Sequence, residues 1–134
     1  MFNPTRDEVR RFFCEAWKKH QEKALLTPLE SMALGIMLIH PEYHPVLNHP
    51  ELAENSEENP FLHLSLHLAV MEQLSIDQPF GIKKHFESIL VKSESRHHAY
   101  HQVMECLGEM IWQAQRQNTQ LDSGIYFECL ERRA

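Results

Sequence analysis

NPFLHLSLHLAVMEQ, residues 59–73, decides how this chain is read. It is one of the most apolar stretches of the sequence, yet it carries His63 and His67. Asn59-Pro60 starts a helix, because proline has no amide hydrogen to lose in the first turn, and Asp77-Gln78-Pro79 ends it. With Phe61 set at zero and about 100° per residue, Ser65 and Glu72 fall near 40° and 20°. His63 and His67 fall near 200° and 240°, beside Leu66, Val70 and Leu74. The side chains that want water therefore sit opposite the histidines, and both imidazoles are expected to face the interior.

Outward from this helix, nearly every segment has helical periodicity. Asn3-Pro4, or Thr5 with Glu8, starts a first helix whose stripe is Val9, Phe12, Phe13, Ala16, Trp17 and His20. Thr27-Pro28-Leu29-Glu30 is a capping box, so a second helix runs from there to Pro41, and Glu30 reads as a cap rather than a catalytic carboxylate. Its inward face is Leu29, Met32, Ala33, Ile36 and Ile39, with His40 on the edge. Residues 40–60 hold prolines and the acidic run ELAENSEEN and read as a connection with one helical turn at 42–48. Further helices are expected over about 80–92, with Ile82, Phe86, Ile89 and Leu90 inward, and over 95–117. The second of these turns Tyr100, Val103, Met104, Leu107, Ile111 and Ala114 inward, with Trp112 on a partly covered far side. Asp122 caps a short last helix carrying Ile125, Tyr126, Cys129 and Leu130. Short connections between amphipathic helices imply antiparallel neighbours. The expected fold is all-α: a compact, mostly up-and-down helical bundle of five to six helices, in a single domain over 1–134.

Length and composition agree. A chain of 134 residues can bury roughly two-thirds of its unfolded surface. Apolar residues make up 43% and charged residues 24%, as in ordinary globular proteins. Thirteen basic against nineteen acidic residues give a net charge of −6, which leaves no footprint for nucleic acid. No apolar run of about 18 residues could span a membrane, and the N-terminus lacks a signal peptide's apolar segment. Cys14, Cys106 and Cys129 are odd in number, widely spaced and without a C-x-x-C. They point to a reducing cytoplasm and away from a disulfide frame or a thiolate zinc site.

Ten histidines are the anomaly, since average usage gives roughly three. Each neutral ring brings one donor and one acceptor, and a buried polar group left unsatisfied costs roughly 1–3 kcal/mol. In an up-and-down path the end of the second helix lies level with the start of the third, so His40, His63 and His67 could converge. Three explanations stay open: a metal site, a core of histidines bonded to side chains or water, and an acid-base site without metal. H-x-x-x-H at 63–67 is not the H-E-x-x-H of zinc proteases, since residue 64 is Leu. A pair of E-x-x-H motifs, as in ferritin-like bundles, does not occur, and the order of ligands does not match hemerythrin. A mononuclear three-His site with an open position fits better, with candidate ligands His40, His63, His67 and His101 and Zn, Fe, Ni or Mn as the ion. His44, in HPEYH, reads as a solvated loop histidine and a spare ligand. His101 and Glu105 are an i, i+4 pair. If the protein is an enzyme, Glu105 is the candidate acid-base partner of a metal-polarised water. Cys106 reads as a small core residue, and no nucleophile elbow, P-loop or dinucleotide fingerprint occurs.

HPEYH (40–44), NPFLHLSLHLAVMEQLSIDQP (59–79) and ECLGEMIWQAQR (105–116), with FNPTRDEVRRFF and TPLE, resemble a family of small bacterial proteins. It is catalogued as a domain of unknown function, number 1841. The resemblance covers nearly the whole chain. It implies a bacterial cytoplasmic protein and supplies no activity. Two function classes therefore remain: a histidine-rich transition-metal protein, or an interaction or scaffold module without metal. A small-molecule or protein partner and a homodimer are open.

Overall fold

A computed structural model describes residues 6–51 and 60–134. Among these, every regular element is helical. There are seven α-helices: α1 (Arg6–Gln21), α2 (Pro28–Leu38), α3 (His44–Asn48), α4 (Pro60–Ile76), α5 (Ile82–Lys92), α6 (Arg96–Gln117) and α7 (Ser123–Arg133). The expectation of five to six helices is corrected. The turn foreseen at 42–48 is a 3-10 turn, Pro41–Tyr43, leading into the separate helix α3. The start of the first helix at Asn3-Pro4 or Thr5 and the stretch 52–59 lie outside the described residues. No helix among the described residues is long and apolar enough to cross a membrane.

The chain divides into two compact units, Met1–Leu68 and Ala69–Ala134, with the boundary inside α4. In the first unit α1 packs on α2 and on α3. Phe13, Ala16 and Trp17 of α1 are buried, as are Ala33, Ile36 and Met37 of α2, Leu47 of α3, and Phe61, Leu64 and Leu68 of α4. Each large side chain among them contributes roughly 1.5–3 kcal/mol on leaving water. The capping box forms as its sequence requires: the Thr27 hydroxyl accepts from the Glu30 amide at 3.1 Å, and the Glu30 carboxylate accepts from the Thr27 amide at 2.9 Å. Lys19 of α1 donates to both oxygens of that carboxylate, at 3.1 and 2.9 Å, so the cap also ties α1 to α2.

Two details of phase differ from expectation. Phe61 is buried although it lies on the side of Ser65 and Glu72. The Arg10 guanidinium, 5.5 Å from its ring centre, covers it, and Leu62 is the exposed residue instead. Ile39 is half exposed because α2 ends at Leu38, so the helical wheel no longer places it.

In the second unit α5, α6 and α7 pack on one another. Their buried residues include Ile82, Phe86 and Ile89, then Ala99, Val103, Leu107, Met110 and Ala114, then Tyr126 and Leu130. Gly81 precedes α5 with φ +97°, a conformation a Cβ would strain. Tyr126 donates its hydroxyl to Gln73 at 2.7 Å and so joins α7 to the last turns of α4. Trp112 is 52% exposed, with the Arg116 guanidinium 5.0 Å over its ring, while Glu105 and Glu109 on the same side of α6 face Arg133 and Arg132 of α7.

The expectation against a disulfide is overturned. Cys106 and Cys129 form a disulfide between α6 and α7, with Cα atoms 5.5 Å apart and both residues fully buried. Their separation of 23 residues looks wide in sequence. A helical hairpin folds that distance back on itself, and spacing along the chain carries no information about it.

Candidate functional site

The end of α2 presents two carbonyls, of Ile36 and Met37, to which no later turn of helix supplies an amide. The backbone closes part of this gap, since the Ile39 amide bonds Ile36 and the His40 amide bonds Met37, each at 3.2 Å. Two histidines complete it. His40 donates Nδ1–H to the Ile36 carbonyl at 2.7 Å, and His44 donates Nε2–H to the Met37 carbonyl at 2.8 Å. A carbonyl only accepts, so the hydrogen in each pair belongs to the ring. The negative end of the helix favours this arrangement further. His44 is thus not the solvated loop histidine expected: it is half-buried, and its ring lies 4.5 Å from that of Trp17. Trp17 in turn donates to Asn48 at 3.1 Å, which fixes α3 against α1.

With Nδ1 committed to a carbonyl, His40 turns Nε2 toward its neighbours. Backbone bonding at one ring nitrogen and a ligand at the other is the usual arrangement of a metal-binding histidine. His40 and His67 are 2% and 1% exposed, so both rings are taken out of water, whereas His63 is half-buried. The ring centres of His40 and His63 are 4.9 Å apart, those of His40 and His67 5.4 Å, and those of His63 and His67 6.3 Å. Tyr43 stacks on His40, its ring plane only 7° off parallel. His63 Nε2 stands 3.1 Å from His40 Nε2. A ring nitrogen of His40 and one of His67 lie within 4.8 Å of each other. The three histidines that the sequence places together on α2 and α4 do meet within the first unit.

In the second unit His97 and His101 are one turn apart on α6, half-buried, with ring centres 4.2 Å apart and a ring nitrogen of each within 4.8 Å. His97 is a residue that sequence reasoning misses. Its signal is another H-x-x-x-H within a helix, residues 97–101, with the same spacing as 63–67. Glu105 is placed otherwise than an acid-base partner would be. Its carboxylate is exposed and accepts from Arg133, which also donates to Gln102. Glu109 similarly faces Arg132, at 3.6 Å.

A family model matches residues 5–132 of this sequence, nearly its full length. The chain belongs to the family described as Domain of unknown function (DUF1841). No curated protein and no solved structure matches it. Membership in DUF1841 therefore fixes no chemistry, and the functional argument rests on the histidines.

Proposed function

We propose that this protein binds one transition-metal ion through histidines, with His40 and His67 of the first unit among its ligands. The observation that carries the reading is the orientation of His40. Its ring is buried and its Nδ1–H is held by the Ile36 carbonyl, which leaves the Nε2 lone pair directed at other histidines. His40 and His67 each offer one ring nitrogen. An all-imidazole donor set suits Zn, Cu, Fe or Ni and disfavours the oxygen-seeking Mg, Ca and Mn. The reading is therefore of metal binding, with no reaction assigned and with Glu105 outside the ligand set.

A second reading is an interaction module whose histidines bond one another without metal. The contact between His63 and His40 is the observation in its favour. Elemental analysis of untagged protein separates the two. Near-stoichiometric Zn, Cu, Fe or Ni that disappears in His67→Ala supports the proposed site. Protein that stays metal-free after incubation with each ion, and whose melting is unmoved by a chelator, overturns it.

A further inference from the structure

We infer that His63 is a latch on this site rather than one of its ligands: its Nε2–H occupies the lone pair of His40 that the ion would take. The inference rests on the metal reading above. The Ile36 carbonyl fixes hydrogen on His40 Nδ1. A neutral imidazole then has a single lone pair, at Nε2. His63 Nε2 is 3.1 Å away. Two lone pairs at that distance repel, so something positive stands between them. A hydrogen on His63 Nε2 satisfies both facing nitrogens and places the acceptor on His40. One lone pair cannot serve a hydrogen bond and a metal together, so loading an ion breaks the His63–His40 bond.

His63 is built to leave. It is half-buried where His40 and His67 are sealed, and it lies one turn before His67 on α4. Tyr43, stacked on His40 and 5.6 Å from the His63 ring, keeps the His40 ring in place when His63 turns away. The bond to be broken is the same for every metal, so the latch weakens all of them by a common factor. Weakly held ions drop below useful occupancy first, and tightly held ones remain.

Zinc and nickel affinities, measured by competition with a chromophoric chelator, test this on wild type, His63→Ala and His63→Gln. A net hydrogen bond of ordinary strength corresponds to about three- to tenfold in affinity. Zinc and nickel should both bind His63→Ala about three- to tenfold more tightly than wild type, by the same factor. The His63→Gln variant restores a donor through its side-chain amide and should return wild-type affinity. If the alanine variant fails to fold, nitrogen-15 spectra of wild-type histidines give the same answer. They should place hydrogen on Nε2 of His63 before zinc is added and show its coupling to His40 lost afterward. Weaker binding in both variants makes His63 a ligand and overturns the latch while keeping the metal site. Equal binding in all three proteins also overturns it. A wild type that binds neither ion fails the metal reading itself, and the latch falls with it.

Discussion

The Nδ1 atom of His40 donates to the carbonyl of Ile36 at 2.7 Å, closing the end of α2 with a ring that also faces a histidine cluster. His44 makes the neighbouring bond, to Met37, but faces Trp17 instead. The two residues therefore separate helix capping from the proposed metal site. His44→Ala should cost about 1 kcal/mol of stability, the net worth of one hydrogen bond, and leave metal content unchanged. His67→Ala should abolish metal content. Urea unfolding together with elemental analysis of each variant checks both outcomes, and a His44→Ala protein that loses its metal would move the site.

Removing metal should lower stability by mass action, since an ion bound only by the folded chain adds RT ln(1 + [L]/Kd). At a free-ion concentration a hundredfold above Kd this is about 2.7 kcal/mol. The melting temperature should fall on chelation, recover on adding zinc, and be insensitive to chelator in His67→Ala. A His67→Ala protein that still responds to chelator and zinc would remove His67 from the ligand set.

Much of this is legible in the sequence because helical periodicity and caps are local. Thr27, Glu30, Pro60, Asp122 and the inward phase of His67 follow from spacing alone. What the sequence hides depends on partners from elsewhere in the chain. Phe61 is buried because Arg10 of another helix covers it. Ile39 escapes its wheel because α2 stops one residue earlier. The Cys106–Cys129 bond depends on how α7 folds back on α6, which the count and spacing of cysteines do not encode. His97 is readable, since it repeats the H-x-x-x-H spacing, but its polar neighbours Arg96 and His98 give that end of the helix the pattern of a surface.

Acid should weaken the first unit through Glu30. The Lys19 ammonium bonded to its carboxylate, helped by the Thr27 amide, holds its pKa below the ordinary carboxylate value. As pH falls, the unfolded chain takes up this proton before the folded one. The stabilisation is therefore fully present above about pH 4.3 and is lost as pH drops through the folded value. Lys19→Met should flatten that part of the acid limb in a urea-unfolding series. An unchanged slope between wild type and Lys19→Met would count against the ion pair.

Alkali should weaken the second unit through Tyr126. Burial raises the pKa of its phenol above the ordinary value, and its hydroxyl already donates to Gln73. The unfolded chain loses this proton first, so the stability is complete below about pH 10 and declines as pH rises beyond it. Tyr126→Phe keeps the buried ring and removes the hydroxyl. It should cost about 1 kcal/mol at neutral pH, somewhat more if Gln73 stays dry, and should abolish the alkaline decline. A decline that persists in Tyr126→Phe would assign it to another group.

Reduction should act on the second unit alone. Cys106 and Cys129 close a loop of 23 residues, for which the loss of unfolded-chain entropy corresponds to about 3 kcal/mol. Both sulfurs are buried, so a small thiol reaches them only when α7 swings from α6. That swing must also break Arg133 from Glu105 and Tyr126 from Gln73. The folded protein should accordingly resist dithiothreitol at concentrations that reduce exposed disulfides. Arg133→Ala should speed its reduction, measured by mass after alkylation. A Cys106→Ser, Cys129→Ser double variant should unfold at lower urea by the amount given, with Lys19–Glu30 and the α2 cap in the first unit untouched. Rapid reduction of the native protein, unaffected by Arg133→Ala, would mean that the pair opens without help from α7.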